Sequence, residues 1–132
     1  MLVISKQSDY GIILLSYLYK KNSLVNLSTL IKETKLPRRF LARIAAELVK
    51  NKLLISREGK NGGYLITKKV AKVSLKEYLE IFKDRITACR CGEESHRCRF
   101  ADLCRHRNLL RKFLDKTINL ELKKIKLIQL ID

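Results

Sequence analysis

The sequence predicts a mainly α-helical chain carrying one small β-hairpin. Three observations predict it. Apolar residues recur at spacings of three and four in several separate segments, which is the stripe of amphipathic helices. Two short apolar runs flank a single glycine-rich interval, 57–63. Between 84 and 99 the periodicity stops, in a stretch rich in cysteine, glycine and charge, and then resumes. At 132 residues the chain fits one domain, or one with a helical extension, and excludes two independent enzyme-sized domains.

Taken in order, Tyr10, Ile13, Leu14, Tyr17 and Leu18 place a first helix over 9–20. Asn26 is the N-cap of a short second helix carrying Leu27, Leu30 and Ile31, which ends before Pro37 because the residue ahead of a proline favours extended backbone. Pro37 suits the first turn of a third helix, with Leu41, Ile44, Ala45 and Leu48 inward and Arg38, Arg39, Ala42 and Arg43 on other faces. Residues 53–56 and 64–67 read as two strands around a turn whose glycines permit positive φ. Ser74 and Glu77 have capping-box spacing ahead of Leu75, Tyr78, Leu79 and Phe82, a fourth helix. Leu103, Leu110, Phe113 and Leu114 define a helix over 102–116, and Leu120, Ile125, Leu127, Ile128 and Ile131 a last one. The expected division is 1–83, 84–101 and 102–132.

Lysine and arginine number 29 against 13 aspartate and glutamate, a formal charge of +16. An excess of that size exceeds what solubility requires and attracts polyanions, nucleic acid first. The first ten residues lack the features of a secretory leader, and no apolar run reaches membrane-spanning length, so the chain reads as cytoplasmic and without a membrane partner. There is no nucleophile-base pairing, phosphate-binding glycine loop or catalytic carboxylate pair in a recognisable arrangement, which argues against an enzyme.

Helix, helix, short turn, helix and hairpin form a winged helix-turn-helix. Its third helix fits a major groove about 12 Å wide. Arg38, Arg39 and Arg43 can donate to phosphates or to guanine edges, and Arg57, Lys60 and Asn61 lie on the wing. Double-stranded DNA is thus the expected partner. A basic RNA- or ribosome-associated protein with a structural metal is the alternative; it lacks the aromatic platforms of single-strand RNA modules, since the hairpin has only Tyr64.

All four cysteines, Cys89, Cys91, Cys98 and Cys104, fall in one segment. In a reducing compartment this points to metal or redox chemistry before disulfides. Cys91, Cys98 and Cys104 are separated by six and five residues, spacings a loop can fold around one iron-sulfur cluster, whose irons require soft thiolates. A structural zinc and a thiol switch are the other readings; zinc sites usually show two close pairs, and only Cys89 and Cys91 are close here.

SDYGIILLSYL, LPRRFLARIAAELVKNKLL, GKNGGYLI and the cysteine segment together resemble the Rrf-type family of bacterial regulators, from about Ile4 to the C-terminus. The resemblance implies a winged-helix homodimer reading a roughly palindromic operator. Its long helix after the cysteines would pack on the partner's copy, burying Leu103, Leu110, Phe113 and Leu114. It also implies a [2Fe-2S] or [4Fe-4S] cluster on Cys91, Cys98 and Cys104, sensing cluster status, iron, oxygen or nitric oxide. The fourth ligand is left among Asp9, which matches the place of an acidic ligand that some relatives supply from the first helix of the partner subunit, His106, His96 and Cys89. Other relatives carry a histidine three residues after the last cysteine, where this chain has Arg107, and a one-residue shift turns a helical side chain by about 100°. His106 therefore serves only if the helix starts late or the loop bends. Family wings place an arginine directly before the first hairpin glycine; here Glu58 precedes Gly59 and the arginine is Arg57. The arginines opening the third helix imply a base preference of its own.

Overall fold

The computed structural model describes residues 3–88 and 97–132. Helix α1 (Lys6–Lys21) is capped by Ser5, whose hydroxyl accepts the Ser8 amide at 3.2 Å, and stops at Asn22 in a left-handed conformation. Helix α2 (Leu27–Thr34) begins as expected at Asn26, whose side chain accepts the Thr29 amide at 2.8 Å. Helix α3 (Arg38–Lys50) follows after a short turn. Pro37 stands one place ahead of its predicted position: its extended ψ makes it the cap, and its carbonyl accepts the first helical bond, from Leu41. Leu41, Ile44, Ala45 and Leu48 are buried against Leu14, Leu15, Leu18 and Leu30.

Strands β1 (Leu54–Arg57) and β2 (Gly63–Ile66) pair antiparallel, Leu54 opposite Ile66 and Arg57 opposite Gly63. They are displaced by one residue from expectation. The Leu53 amide closes the end of α3 on the Leu48 carbonyl, so the strand proper starts a residue later. Val25 and Tyr64 exchange amide-carbonyl bonds of 3.0 and 2.8 Å, a bridge that seats the wing on the segment entering α2. A 3-10 turn, Lys68–Ala71, leads to α4 (Leu75–Ile81).

The capping box at α4 is complete: Ser74 Oγ accepts from Glu77 N, and Glu77 accepts from Ser74 N at 2.7 Å. These bonds to Ser74 hold the Glu77 carboxyl below its ordinary 4.5 against the opposing effect of burial, with Lys126 and Lys69 adding lesser contributions in the same direction as the bonds. A carboxyl lowered on folding contributes stability that is present above its unfolded value and is lost as pH falls through its folded value. Urea unfolding of the wild type should therefore weaken as pH drops below 4.5 partly through this group. Glu77→Gln, which keeps an acceptor but has no charge, should flatten that part of the pH dependence. An unchanged profile would mean the carboxylate form has no advantage at the cap.

Tyr78 is fully buried beneath α1, donating its hydroxyl to the Ser8 carbonyl at 2.6 Å. Burial first, then Asp84 and Asp9, raises its phenol far above the ordinary range. Gly11 lies over that oxygen, and any β-carbon there would overlap it.

The C-terminal part departs most from expectation. Helix α5 is Arg107–Lys124, starting five residues later and ending eight later than predicted. Residues 98–104 are instead a chain of turns, with Ala101 N bonded to Cys98 O and both Leu103 N and Cys104 N to Phe100 O. The helix continues past 116 because Thr117 and Asn119 return their side chains to the Phe113 and Asp115 carbonyls instead of interrupting it. Leu120 thus belongs to α5, and Ile125 is its C-cap. Only Ile128–Ile131 forms the last helix, α6, which buries Leu127 and Ile131 in the core shared with α1. The chain between α5 and α6 is clipped alongside the start of α4 through a Ser74–Lys126 bridge.

Candidate nucleic-acid interface and cysteine segment

Successive helical residues turn by about 100°, so the buried stripe of α3 fixes what faces away from it. Arg39, Arg43, Ala46 and Lys50 form the strip opposite Leu41, Ile44, Ala45 and Leu48, and all four are exposed. Ala46 has no counterpart in the sequence-based set; the helical projection alone identifies it, and its small side chain leaves room for close approach. Arg38 is also exposed but leaves the first turn nearer the buried side. Phe40 flanks the strip, edge-on to Tyr10 of α1 with ring centroids 6.0 Å apart. On the wing Arg57 ends β1, and Lys60 and Asn61 form the exposed tip. Among the described residues, none of Arg38, Arg39, Arg43, Arg57 and Lys60 is in an ion pair. This leaves a cationic surface with its charge uncommitted.

Of the candidate metal ligands, Cys89, Cys91 and His96 lie outside the described residues. Cys98 and Cys104 are free, half-buried thiols. His106 immediately precedes α5, and its Nδ1 is 3.7 Å from Cys104 Sγ, so the late helix start is the geometry that brings the imidazole to the last cysteine. Asp9 is exposed in the first turn of α1 and is not its cap, a role taken by Ser5. Among the described residues no three donors form a metal-sized group. Two bonds that sequence periodicity does not signal frame the segment: Ala88 N donates to Asp115 Oδ1 of α5 at 3.0 Å, and Asp84 accepts from Ser5 N at 3.1 Å. Ala88 is thereby fixed to α5 by a hydrogen bond, and 97–106 leads directly into the same helix.

Helix α5 packs one face on α4, with Ile118, Asn119 and Leu122 half-buried. Its other face displays Leu110, Phe113 and Leu114, with Phe113 64% exposed. Leu103 lies in the turn ahead of the helix and is 82% exposed. Among the described residues no helix is long and apolar enough to cross a membrane.

The family model described as "Rrf2: Iron-dependent Transcriptional regulator" matches residues 4–132. This chain belongs to the Rrf2 family of transcription regulators. A protein of Aquifex aeolicus described as a putative HTH-type transcriptional regulator is 32% identical over 103 residues, 76% of this chain and 72% of its own length. The structure is similar to that of IscR from T. potens, with TM-score 0.65, 20% identity, and coverage of 96% of this chain and 84% of the other. It is also similar to CymR, the global cysteine regulator of B. subtilis, with TM-score 0.70, 20% identity, and coverage of 99% and 97%. At such identity the likeness establishes the winged-helix fold. Family membership makes the Rrf2 protein a regulator of transcription, not an enzyme, and decides against the ribosome-associated reading.

Proposed function

We propose that this Rrf2 protein is a homodimer that reads a roughly palindromic duplex with Arg39 and Arg43, assisted by Arg38 and by Arg57, Lys60 and Asn61 of the wing. In this reading it reports the state of an iron-sulfur cluster held by Cys91, Cys98 and Cys104. The functional division is 1–83 for DNA, 84–101 for the cluster and 102–132 for dimerisation. The observation that carries the reading is that the described residues flanking the cysteine segment, Ala88 on one side and Cys98 to His106 on the other, both connect to α5, the helix whose Leu110, Phe113 and Leu114 face is exposed for a second copy.

The donor chemistry suits the group. Two half-buried thiols stand on a chain of turns, and His106 beside Cys104 is a candidate fourth ligand, with Asp9, His96 and Cys89 as the others. When bound, such a cluster supplies a redox-labile cross-link whose potential follows nearby charge and hydrogen bonding. Arg97, Arg99, Arg105 and Arg107 lie within three residues of Cys98 or Cys104 in the sequence and would offer positive charge to a cluster bound there. Ala88 and Asp115 hold the start of the segment against α5, and Asp84 ties the end of α4 to α1. A change in the segment is thereby relayed to both the dimer helix and the body that aims the wings.

Anaerobic purification followed by an absorption spectrum with iron and sulfide analysis tests the cofactor. We expect coloured protein containing both elements, and loss of both in Cys98→Ser and Cys104→Ser. A colourless preparation containing zinc would overturn the cluster while leaving the DNA reading intact. Regulation is tested by comparing affinity for the selected duplex, at fixed salt, of cluster-bound and cluster-free protein; equal affinities would remove it.

A further inference from the structure

The recognition helix and wing use only part of the basic surface. We infer that a lysine track continuous with the C-terminal end of α3 carries duplex DNA flanking the operator, an inference that rests on the DNA reading above. The track starts at Lys50, on the same strip as Arg39 and Arg43. Thr67 Oγ1 donates to the Lys52 carbonyl at 2.7 Å and Lys69 Nζ to the Asn51 carbonyl at 3.0 Å, which fastens the 3-10 turn beside the end of α3. From there Lys126 Nζ reaches the Lys72 carbonyl at 3.4 Å, and the Ser74–Lys126 bridge brings the C-terminal tail alongside. Lys72, Lys76, Lys123 and Lys126 line an open groove of about 330 Å³ there.

The acidic residues in this groove are already engaged. Glu77 is held in the capping box, and Glu80 lies 3.5 Å from Lys76. Lys68, Lys72, Lys123 and Lys126 are exposed and, among the described residues, form no ion pair. Ammonium groups on flexible stems are point charges for phosphates, which position a duplex without reading its bases. The groove lining contains no apolar or aromatic side chain. The groove itself therefore lacks the anchor a lipid surface needs and the platform on which single-stranded bases stack, and the apolar residues beside Lys68 and Lys72, namely Tyr19, Ile66, Val70 and Ile128, are buried in or packed against the core. Continuity with α3 makes the occupant the same duplex, reached beyond the bases that α3 reads.

The test uses full-length protein and a duplex selected by it from a random library. That duplex is prepared as the minimal site and with about ten further base pairs, one helical turn, of arbitrary sequence on each side. The wild type should bind the longer duplex more tightly. In Lys68→Ala/Lys72→Ala/Lys123→Ala/Lys126→Ala that advantage should disappear, and the salt slope on the longer duplex should fall by about 0.9 for each phosphate no longer neutralised. Discrimination between selected and random sequence should stay unchanged. The four side chains are exposed and the lost contacts are the 3.4 Å bond from Lys126 to the Lys72 carbonyl and its pull on Glu77, so a cooperative thermal melt close to the wild type's excludes misfolding as the cause, and Lys68→Ala/Lys72→Ala/Lys123→Ala, which keeps both, should show most of the same loss. A variant that keeps the full flank advantage and slope overturns the inference. A wild type that selects a site but ignores its flanks also overturns it and leaves the DNA reading standing, whereas failure to select any duplex removes both. Loss of single-stranded RNA binding with flank binding intact would assign the track to RNA and overturn the proposal.

Discussion

Arg39→Ala/Arg43→Ala is expected to weaken binding to the selected duplex far more than Arg38→Ala does. All three arginines open the same helix, but only Arg39 and Arg43 stand one turn apart on the strip directly opposite the buried stripe. A bidentate arginine-guanine pair is worth about 1–3 kcal/mol of discrimination, so each of the two should cost roughly 5- to 150-fold at its base pair. If they bind phosphates instead, affinity should fall for all duplexes alike and the salt slope should drop by about 0.9 per phosphate. Binding to selected and random duplexes across a salt series separates the two modes. Equal losses from Arg38→Ala and Arg39→Ala would show that the helix enters its groove on a different face.

That distinction marks where sequence reading reaches its resolution in this protein. Apolar spacing alone places Leu41, Ile44, Ala45 and Leu48 inside, and their burial bears it out, because a helix side buried in a core tolerates little else. Asn26 and the Ser74–Glu77 pair are equally legible, since caps have strong local chemistry at fixed offsets. Pro37 is legible to within one residue, as is each hairpin strand, for the same reason: local signals locate an element better than they locate its end.

The start of α5 is not legible. Leu103 falls on the helical repeat of Leu110 and Leu114, yet 98–104 folds as turns, because Phe100 and Cys98 carbonyls capture the amides at short range. Periodicity gives no sign of such turns. The same shift bears on the candidate cluster: His106 is out of register with the family's histidine on a helix from 102, but stands beside Cys104 when the helix begins at Arg107. The Ala88–Asp115 and Ser5–Asp84 bonds are also hidden, because they join residues distant in sequence whose types have no special spacing.

The wing offers the largest expected stability effect, at Gly63. Its φ of +150° is one that residues with side chains rarely adopt, and a β-carbon there would strike the Val25 carbonyl group and the Asn26 amide nitrogen. Those are backbone atoms, so no rotamer change can make room. Strained backbone costs about 1–3 kcal/mol, and overpacking typically costs a similar amount, about 1–3 kcal/mol. Gly63→Ala should therefore destabilise the protein by roughly 3 kcal/mol and lower Tm by roughly 10 °C. Gly59→Ala is the internal comparison: it too has positive φ, +100°, but its β-carbon would meet nothing within 4 Å. It should lose only the backbone contribution. Because the Val25–Tyr64 bridge is the pair of bonds that the Gly63 clash would prise apart, amide exchange at Val25 and Tyr64 should accelerate in Gly63→Ala and stay near wild type in Gly59→Ala. Equal losses in the two variants would mean that the wing yields as a unit and that its seating on the α2 entrance is not what fixes its angle toward DNA.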